Sequence, residues 1–112
     1  MFSWILNFFG LSLEPKPLPS RPPGAPDVPK IEMYLTQYCP FCVRARALLD
    51  SKNVAYDMID VGAEPKLRGV MMDRANGRHT VPQIFIDDQH IGGCNELVAL
   101  NRRGGLDPLL NL

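Results

Sequence analysis

The sequence predicts a small α/β domain in which a four-stranded mixed sheet is flanked by helices. Two observations predict it. From Ile31 onward the apolar pattern changes from strand to helix and back to strand, and further along two short apolar strands are separated by Asp87-Asp88. A strand–helix–strand unit of this length implies a parallel pair with a right-handed crossover. Two strands joined by a tight turn form an antiparallel hairpin, so the sheet is mixed.

The strand–helix–strand unit has recognisable boundaries. The segment IEMYL, residues 31–35, alternates apolar with mixed residues and predicts a strand. Pro40 stands where the first helical residue is expected, because its fixed φ and missing N–H suit that position. Asn53 tolerates a left-handed conformation and is expected to end the helix. The segment VAYDMIDV, residues 54–61, predicts the second strand.

The second half of the chain predicts two helices around the hairpin and a last helical turn. The expected segments are a helix over residues 64–75, strands over 83–87 and 89–93, a helix over 95–103 and a short turn of helix within 106–112. The sequence NGR breaks the first of these helices, and Gly104-Gly105 closes the second. Helices therefore separate and cover the strands.

The composition excludes some classes of protein. The chain has 112 residues, which fits one domain with a tail, and 46% of them are hydrophobic, which suffices for a core. Twelve basic and 12 acidic residues give a net charge of zero, which disfavours a nucleic-acid-binding domain. The 3 cysteines are too few for a disulfide scaffold, and sparing use is typical of a reducing compartment such as the cytoplasm.

Residues 1–30 differ in kind from the rest. Residues 1–13 are an apolar run, too short for a membrane-spanning helix of about 20 residues and without the features of a secretory signal. They are expected to contact a membrane or a partner, or else to pack on their own domain or be disordered. Seven of the 11 prolines fall between Pro15 and Pro29, so residues 14–30 predict an extended linker. The folded domain is expected at 31–112.

Cys39 and Cys42 form a C-x-x-C pair at the predicted start of the first helix. With Cys39 at the N-cap and Pro40 at the first helical position, the sulfur of Cys39 faces unpaired N–H groups that stabilise a thiolate. Cys42 is one turn further on and nearer the core, so it is expected to stay protonated. Since residues three apart on a helix lie about 5–6 Å apart at Cβ, a disulfide needs only a small adjustment. The pair predicts thiol–disulfide exchange, with Cys39 as nucleophile and Cys42 as resolving thiol.

Two other interpretations of the pair stay open at this point. Cys39, Cys42 and Cys94 with His79 or His90 would supply four zinc ligands, although zinc sites usually repeat the C-x-x-C knuckle and this chain has one. The pair could also be purely structural.

Two downstream segments point to a binding site. In HTVPQIFI, Pro82 stands just before a strand, where a cis peptide bond would expose the backbone of Val81 to an extended peptide. The alternative is a trans proline that only ends the preceding segment. In IGGCNEL two glycines open a helix, whose N–H groups can bind an anion such as a carboxylate. An ordinary turn is the alternative.

Taken together, YCPFC, TVPQIFI, HIGGCNEL and RRGGLDPLL resemble the glutaredoxins, specifically the small dithiol type of bacterial cytosol. The resemblance covers about residues 31–110 and leaves out residues 1–30. It implies a thioredoxin-like fold and the reduction of disulfides, especially glutathione mixed disulfides, with glutathione as co-substrate. It implies no tightly bound cofactor and no metal.

The resemblance also assigns a glutathione site. Val81, held by cis Pro82, would pair its backbone with the cysteinyl part, and the helix opening at Cys94-Asn95 would take the γ-glutamyl carboxylate. Arg68, with His79 as a further candidate, would hold the glycyl carboxylate. The predicted binding residues are Phe41, Arg68, Thr80, Val81, Pro82, Gly93, Cys94 and Asn95.

The chain departs from the resemblance at two positions. Many relatives have lysine where this chain has Thr36, and many have aspartate where it has Asn95. Both changes remove a charged contact, so we expect a weaker preference for glutathione than in a typical relative. Cys94 is expected to be a small buried hydrophobic residue, with a regulatory thiol as the alternative.

The main alternative function is a binding module in which two copies hold an iron–sulfur cluster through Cys39 and glutathione. Pro40 disfavours it, because relatives that hold clusters more often have a small residue there. We expect a cytoplasmic monomer that acts on glutathione and on disulfide-containing or glutathionylated proteins. It is expected to bind no nucleic acid, and residues 1–13 are its candidate contact with a membrane or partner.

Overall fold

The computed structural model describes residues 28–112. The elements in this part of the chain, numbered in order, are β1 (Ile31–Leu35), α1 (Pro40–Ser51), β2 (Asp57–Asp60), α2 (Lys66–Arg74), β3 (Gln83–Ile86), β4 (Gln89–Gly92), α3 (Cys94–Arg102) and α4 (Leu106–Leu109). The expectations for residues 1–13, and for all but the end of the linker, lie outside the described residues. Among those described, no helix combines the length and apolar character that crossing a bilayer requires.

The four strands form one mixed sheet in the order β2-β1-β3-β4. Strand β1 pairs in parallel with β2 and antiparallel with β3, and β3 pairs antiparallel with β4. This confirms the predicted mixed sheet. At the edge of the sheet where β1 ends, the end of β2 therefore lies on one side of β1. The start of β3 and the end of β4 lie on the other side.

The sheet has a core on each face, because successive side chains of a strand point to opposite sides. Ile31, Met33 and Leu35 of β1 face α1 and α3, in one cluster with Ile84 and Ile86 of β3. Tyr34 and Phe85, which lie between these residues in the chain, face the other way and pack with Met71 of α2. The helices therefore cover both faces, as predicted.

The element types are as predicted, and some boundaries differ. Strand β2 begins at Asp57 rather than at Val54, because its register starts opposite Glu32 near the beginning of β1. Helix α2 begins at Lys66, after Pro65. A strand extends only as far as the neighbouring strand with which it pairs. The sequence of one segment does not show where that neighbour begins.

The turn predictions are confirmed by the backbone. Asn53 has φ 58° after α1, and Asp87 and Asp88 have φ 49° and 66° in the hairpin turn. Positive φ at both central residues matches the right-handed twist of the two strands. Asp87 also accepts the backbone N–H of Lys30 at 2.9 Å, which holds the turn against the start of β1.

Candidate active site

The C-x-x-C pair lies at the N-terminus of α1, directly after β1. Cys39 is the N-cap, with extended backbone, and Pro40 is the first helical residue. The carbonyl of Cys39 accepts the first helical hydrogen bond, from the N–H of Val43 at 3.1 Å. The two cysteines are present as free thiols, as is Cys94.

The two thiols differ in their surroundings. Cys42 is 1% exposed and belongs to the core beneath α1 and α3, whereas Cys39 is partly exposed. Burial is the largest cause that raises the pKa of Cys42 from 9.0 to about 11, with a further contribution from the neighbouring Cys39 thiol. Because burial penalises the charged form of a thiol, Cys42 is protonated at neutral pH. Cys39 is the thiol that a substrate can reach.

The Cys39 sulfur has a different hydrogen-bond partner from the one expected at the first turn of α1. It makes no hydrogen bond with the helix N-terminus, and lies instead 3.8 Å from the carbonyl oxygen of Val81. The reason is chemical: a thiol is a weak donor, so its S–H turns to a carbonyl acceptor, whereas only a thiolate would turn to the N–H groups. The contact brings Cys39 against the segment before β3.

A groove of about 240 Å³ begins beside this contact. Its wall is formed by residues 80–82, with the peptide bond between Val81 and Pro82 in the cis form, as predicted. Its far end is the N-terminus of α3, residues 93–96, and Phe41 of α1 stands at its edge, 49% exposed. The structure thus brings together seven of the eight predicted binding residues.

Arg68 is the predicted residue that does not line this groove. Its guanidinium donates to the carbonyl of His79 at 2.6 Å. The assignment of these two residues to the glycyl carboxylate stays a prediction.

Arg78 and Glu96 line the groove and were missed from the sequence. The Glu96 carboxylate accepts the N–H of Gly93 at 2.7 Å and lies 3.5 Å from the guanidinium of Arg78. The Gly93 N–H is the largest cause that lowers the pKa of Glu96, and Arg78 lowers it further. The groove therefore contains one positive and one negative side chain. The capping pattern, glutamate three residues after Gly93, could have indicated Glu96.

Gln83 and His90 support the wall of the groove from behind. Gln83 is 0% exposed, and its side-chain amide donates to the carbonyl of Thr80 at 3.0 Å. Its oxygen is 2.7 Å from Nε2 of His90, whose pKa is lowered, mainly by burial. A neutral His90 that donates to Gln83 satisfies both groups. The network fixes the position of Thr80.

The zinc interpretation finds no support in this arrangement. His90 stacks on Phe85 at 4.9 Å and uses Nε2 for Gln83. Across residues 28–112, no three His, Cys, Asp or Glu side chains come close enough together to hold a metal ion. Cys94 is 3% exposed and packs in the same core as Cys42, as the buried-hydrophobic interpretation predicts.

A dithiol at the start of a helix, facing a cis-proline segment across the end of a thioredoxin-like sheet, defines a thiol–disulfide oxidoreductase. The glutaredoxin family model matches residues 31–91, and the chain belongs to that family. It is a glutaredoxin-type oxidoreductase.

Relatives and solved structures agree with this family. The chain is 54% identical to glutaredoxin 3 of Escherichia coli over 80 residues, which cover 71% of this chain and 95% of that protein. It is 51% identical to a probable glutaredoxin of Synechocystis over 82 residues, 73% of this chain and 93% of that one.

Among solved structures, the glutaredoxin of Brucella melitensis matches with a TM-score of 0.68 and 44% identity, over 79% of this chain and 95% of that one. A buckwheat glutaredoxin in complex with glutathione also matches with a TM-score of 0.68, at 29% identity, over 73% and 76% of the two chains.

Proposed function

We propose that this oxidoreductase uses glutathione as its electron donor and reduces glutathione mixed disulfides and protein disulfides. The observation that carries the proposal is the groove that starts at Val81, whose carbonyl the Cys39 sulfur contacts, and ends at the N-terminus of α3. A groove of this form suits an extended peptide with a carboxylate at its end. The buckwheat glutaredoxin with a similar fold was solved in complex with glutathione, which supports the same ligand here.

The groove offers partners for each part of the tripeptide. Val81 lines the groove, and its backbone is suited to pair with the cysteinyl residue, which would bring the glutathione sulfur close to Cys39. The N–H groups at Cys94 and Asn95 open α3 and are suited to a carboxylate, because unpaired N–H groups and the helix dipole favour an anion there. Arg78 is a second candidate for a carboxylate, and Glu96 for the ammonium group of the γ-glutamyl residue.

Cys39 carries the exchange with a glutathionylated substrate. Its thiolate attacks the glutathione sulfur, the substrate leaves as a thiol, and glutathione stays bound to Cys39 as a mixed disulfide. A second glutathione thiolate then attacks the mixed disulfide, which releases glutathione disulfide and restores Cys39. One free glutathione is consumed, and the glutathione disulfide that leaves contains it together with the glutathionyl group of the substrate. Cys42 is not needed.

Reduction of a protein disulfide uses both cysteines. Cys39 forms a mixed disulfide with one substrate sulfur and releases the other. Cys42 then loses its proton and attacks the sulfur of Cys39, which releases the reduced substrate and leaves a Cys39–Cys42 disulfide. Glutathione reduces that disulfide.

The test is turnover of the mixed disulfide of glutathione and mercaptoethanol, coupled to glutathione reductase. We expect Cys39→Ser to abolish turnover. Cys42→Ser should retain it but lose reduction of a protein disulfide, because only the second reaction needs the resolving thiol. Turnover by Cys39→Ser, or turnover by the wild type that does not depend on glutathione, would exclude the proposal.

We also infer that the catalytic domain, residues 31–112, is a monomer that acts in the cytoplasm, with residues 14–30 as a spacer between this domain and residues 1–13. The apolar composition of residues 1–13 supports contact with a membrane or a partner, since a dense apolar stretch seldom remains exposed without a use.

Fractionation tests the role of this extension. The full-length protein should appear in a membrane or high-mass fraction, and a variant without residues 1–29 should appear with the small cytoplasmic proteins. Identical distributions of the two proteins would exclude a tether. Light scattering of the shortened protein should give the mass of one chain.

A further inference from the structure

A second cleft, of about 360 Å³, lies on the other side of Cys39 from the groove. It is lined by Thr36, Gln37, Tyr38, Asp60, Gly62 and Ala63, which belong to the loop before Cys39, the end of β2 and the turn after it. In the sheet, β2 neighbours β1 on one side and β3 neighbours it on the other. Cys39 follows β1, so it stands between the cleft at the β2 side and the groove at the β3 side.

The cleft and the groove have different chemistry. Asp60 is the single charged residue among those that line the cleft, whereas the groove contains both signs of charge. Its Oδ1 accepts the N–H groups of Gly62 and Ala63 at 2.9 and 3.0 Å, so the carboxylate is held in place by the turn after β2. Tyr38, the residue before Cys39, is 93% exposed at the rim and offers an apolar ring to a ligand.

The geometry of the exchange reaction requires space on both sides of Cys39. A thiolate attacks a disulfide along the line of the sulfur–sulfur bond, so the attacked sulfur lies between the nucleophile and the leaving sulfur. The polypeptide on either side of a substrate disulfide then extends away from Cys39 in two directions. The groove can take one arm, and the cleft is an opening that can take the other.

We propose that the cleft binds the polypeptide next to a substrate cysteine, and that Asp60 favours substrates with a lysine or arginine beside that cysteine. The reaction is the ordinary exchange: Cys39 bonds to one substrate sulfur, the other leaves as a thiol, and Cys42 closes the Cys39–Cys42 disulfide. Two electrons and two protons pass from the protein dithiol to the substrate. The proposal rests on the exchange activity of the family and does not require glutathione.

The experiment uses the reduced full-length protein and two peptide disulfides that differ in one residue. Each peptide has a disulfide flanked by lysine or by glutamate, and loss of protein thiols gives the rate in a single turnover without glutathione. Dithiothreitol reduces the same peptides in parallel, and its rates correct for the intrinsic reactivity of each disulfide. After this correction, the wild type should prefer the lysine peptide by about two- to fivefold, the range of a solvent-exposed ion pair.

Asp60→Asn is the decisive variant, because the amide oxygen can still accept the two turn N–H groups while the charge is lost. It should bring the corrected preference close to equality. Asp57→Asn is the matched control: Asp57 starts the same strand, about 10 Å away, and its charge is screened at that distance because the Debye length is about 8 Å at physiological ionic strength. It should keep the preference of the wild type.

Tyr38→Ala tests the same cleft without a change of charge. It should slow both peptides by a similar factor, and should slow them more than the small disulfide of mercaptoethanol, which has no polypeptide arm. The proposal is overturned if Asp60→Asn keeps the preference for lysine, if Asp57→Asn removes it equally, or if Tyr38→Ala slows all three disulfides alike. If the protein reduced the peptides but could not itself be reduced by glutathione, the proposed electron donor would be wrong. The rate ratios between the two peptides could still be measured.

Discussion

The burial of Cys42 predicts a steep pH dependence for the second exchange step. With its pKa raised to about 11, only about one molecule in ten thousand has a Cys42 thiolate at pH 7, and this fraction grows about tenfold per pH unit. Since the thiolate is the attacking species, the rate at which Cys42 resolves a mixed disulfide on Cys39 should rise about 100-fold between about pH 7 and pH 9.

The predicted rise in this rate depends little on whether Cys39 is a free thiol or part of a mixed disulfide. In the mixed disulfide Cys39 is no longer a thiol, so its hydrogen bond and charge no longer raise the pKa of Cys42. Burial, which is the largest cause, remains, and keeps the pKa above the ordinary 9.0. At that lower limit the thiolate fraction still rises about 50-fold over the same interval.

The assay is a stopped-flow reaction of the reduced protein, in excess, with Ellman's reagent. Attack by Cys39 releases one coloured thiolate, and resolution by Cys42 releases the second in a step that does not depend on concentration. The coloured product stays ionised across this pH range, so the second phase reports the ionisation of Cys42 alone. Cys42→Ser should lack that phase. A second phase with the same rate at both pH values would refute protonation of Cys42 by burial.

Three substitutions make further predictions. Asn95→Asp should lower the Michaelis constant for glutathione by up to about fivefold, because Asn95 is exposed and a solvent-exposed ion pair contributes up to about 1 kcal/mol. An unchanged constant, equal to that of Asn95→Gln, would show that this position does not contact the ligand. Arg74→Met should destabilise the fold by about 1–3 kcal/mol in urea unfolding, because it removes the 2.9 Å ion pair with Glu32 and leaves that largely buried carboxylate with the longer 3.9 Å contact to Lys30. A loss below about 0.5 kcal/mol, as for a typical surface change, would contradict this. Gly92→Ala should also destabilise the fold, by more than about 1 kcal/mol, because Gly92 has φ +118° and a Cβ would lie 2.9 Å from the side chain of Glu96. Unchanged stability in the same urea assay would show that this backbone accepts a side chain.

The features that local sequence determines were predictable. The position of Cys39 at a helix start follows from Pro40, and the hairpin follows from the Asp87-Asp88 turn between two apolar strands. The burial of Cys42 follows from its place one turn into the same helix. Each of these needs only a few neighbouring residues and their intrinsic conformational preferences.

The features that depend on contacts between distant segments were not predictable. Arg78 and Glu96 meet at the groove although 18 positions separate them in the sequence. The hydrogen bond between Gln83 and His90 depends on the packing of the β3–β4 hairpin.

The sulfur contact of Cys39 with Val81 joins residues 42 positions apart, and it replaces the expected contact with the helix N-terminus. The cleft at Asp60 forms where the ends of two parallel strands meet, and it contains no motif that a sequence could display. Both features arise from the tertiary arrangement of the strands.

Identifying the cysteine that accepts glutathione tests the central claim most directly. The full-length Cys42→Ser protein is treated with one equivalent of glutathione disulfide at neutral pH and digested, and the adduct is located by mass spectrometry. The account predicts glutathione on Cys39, the partly exposed thiol beside the groove. An adduct on Cys94, or an equal distribution between the two cysteines, would contradict it.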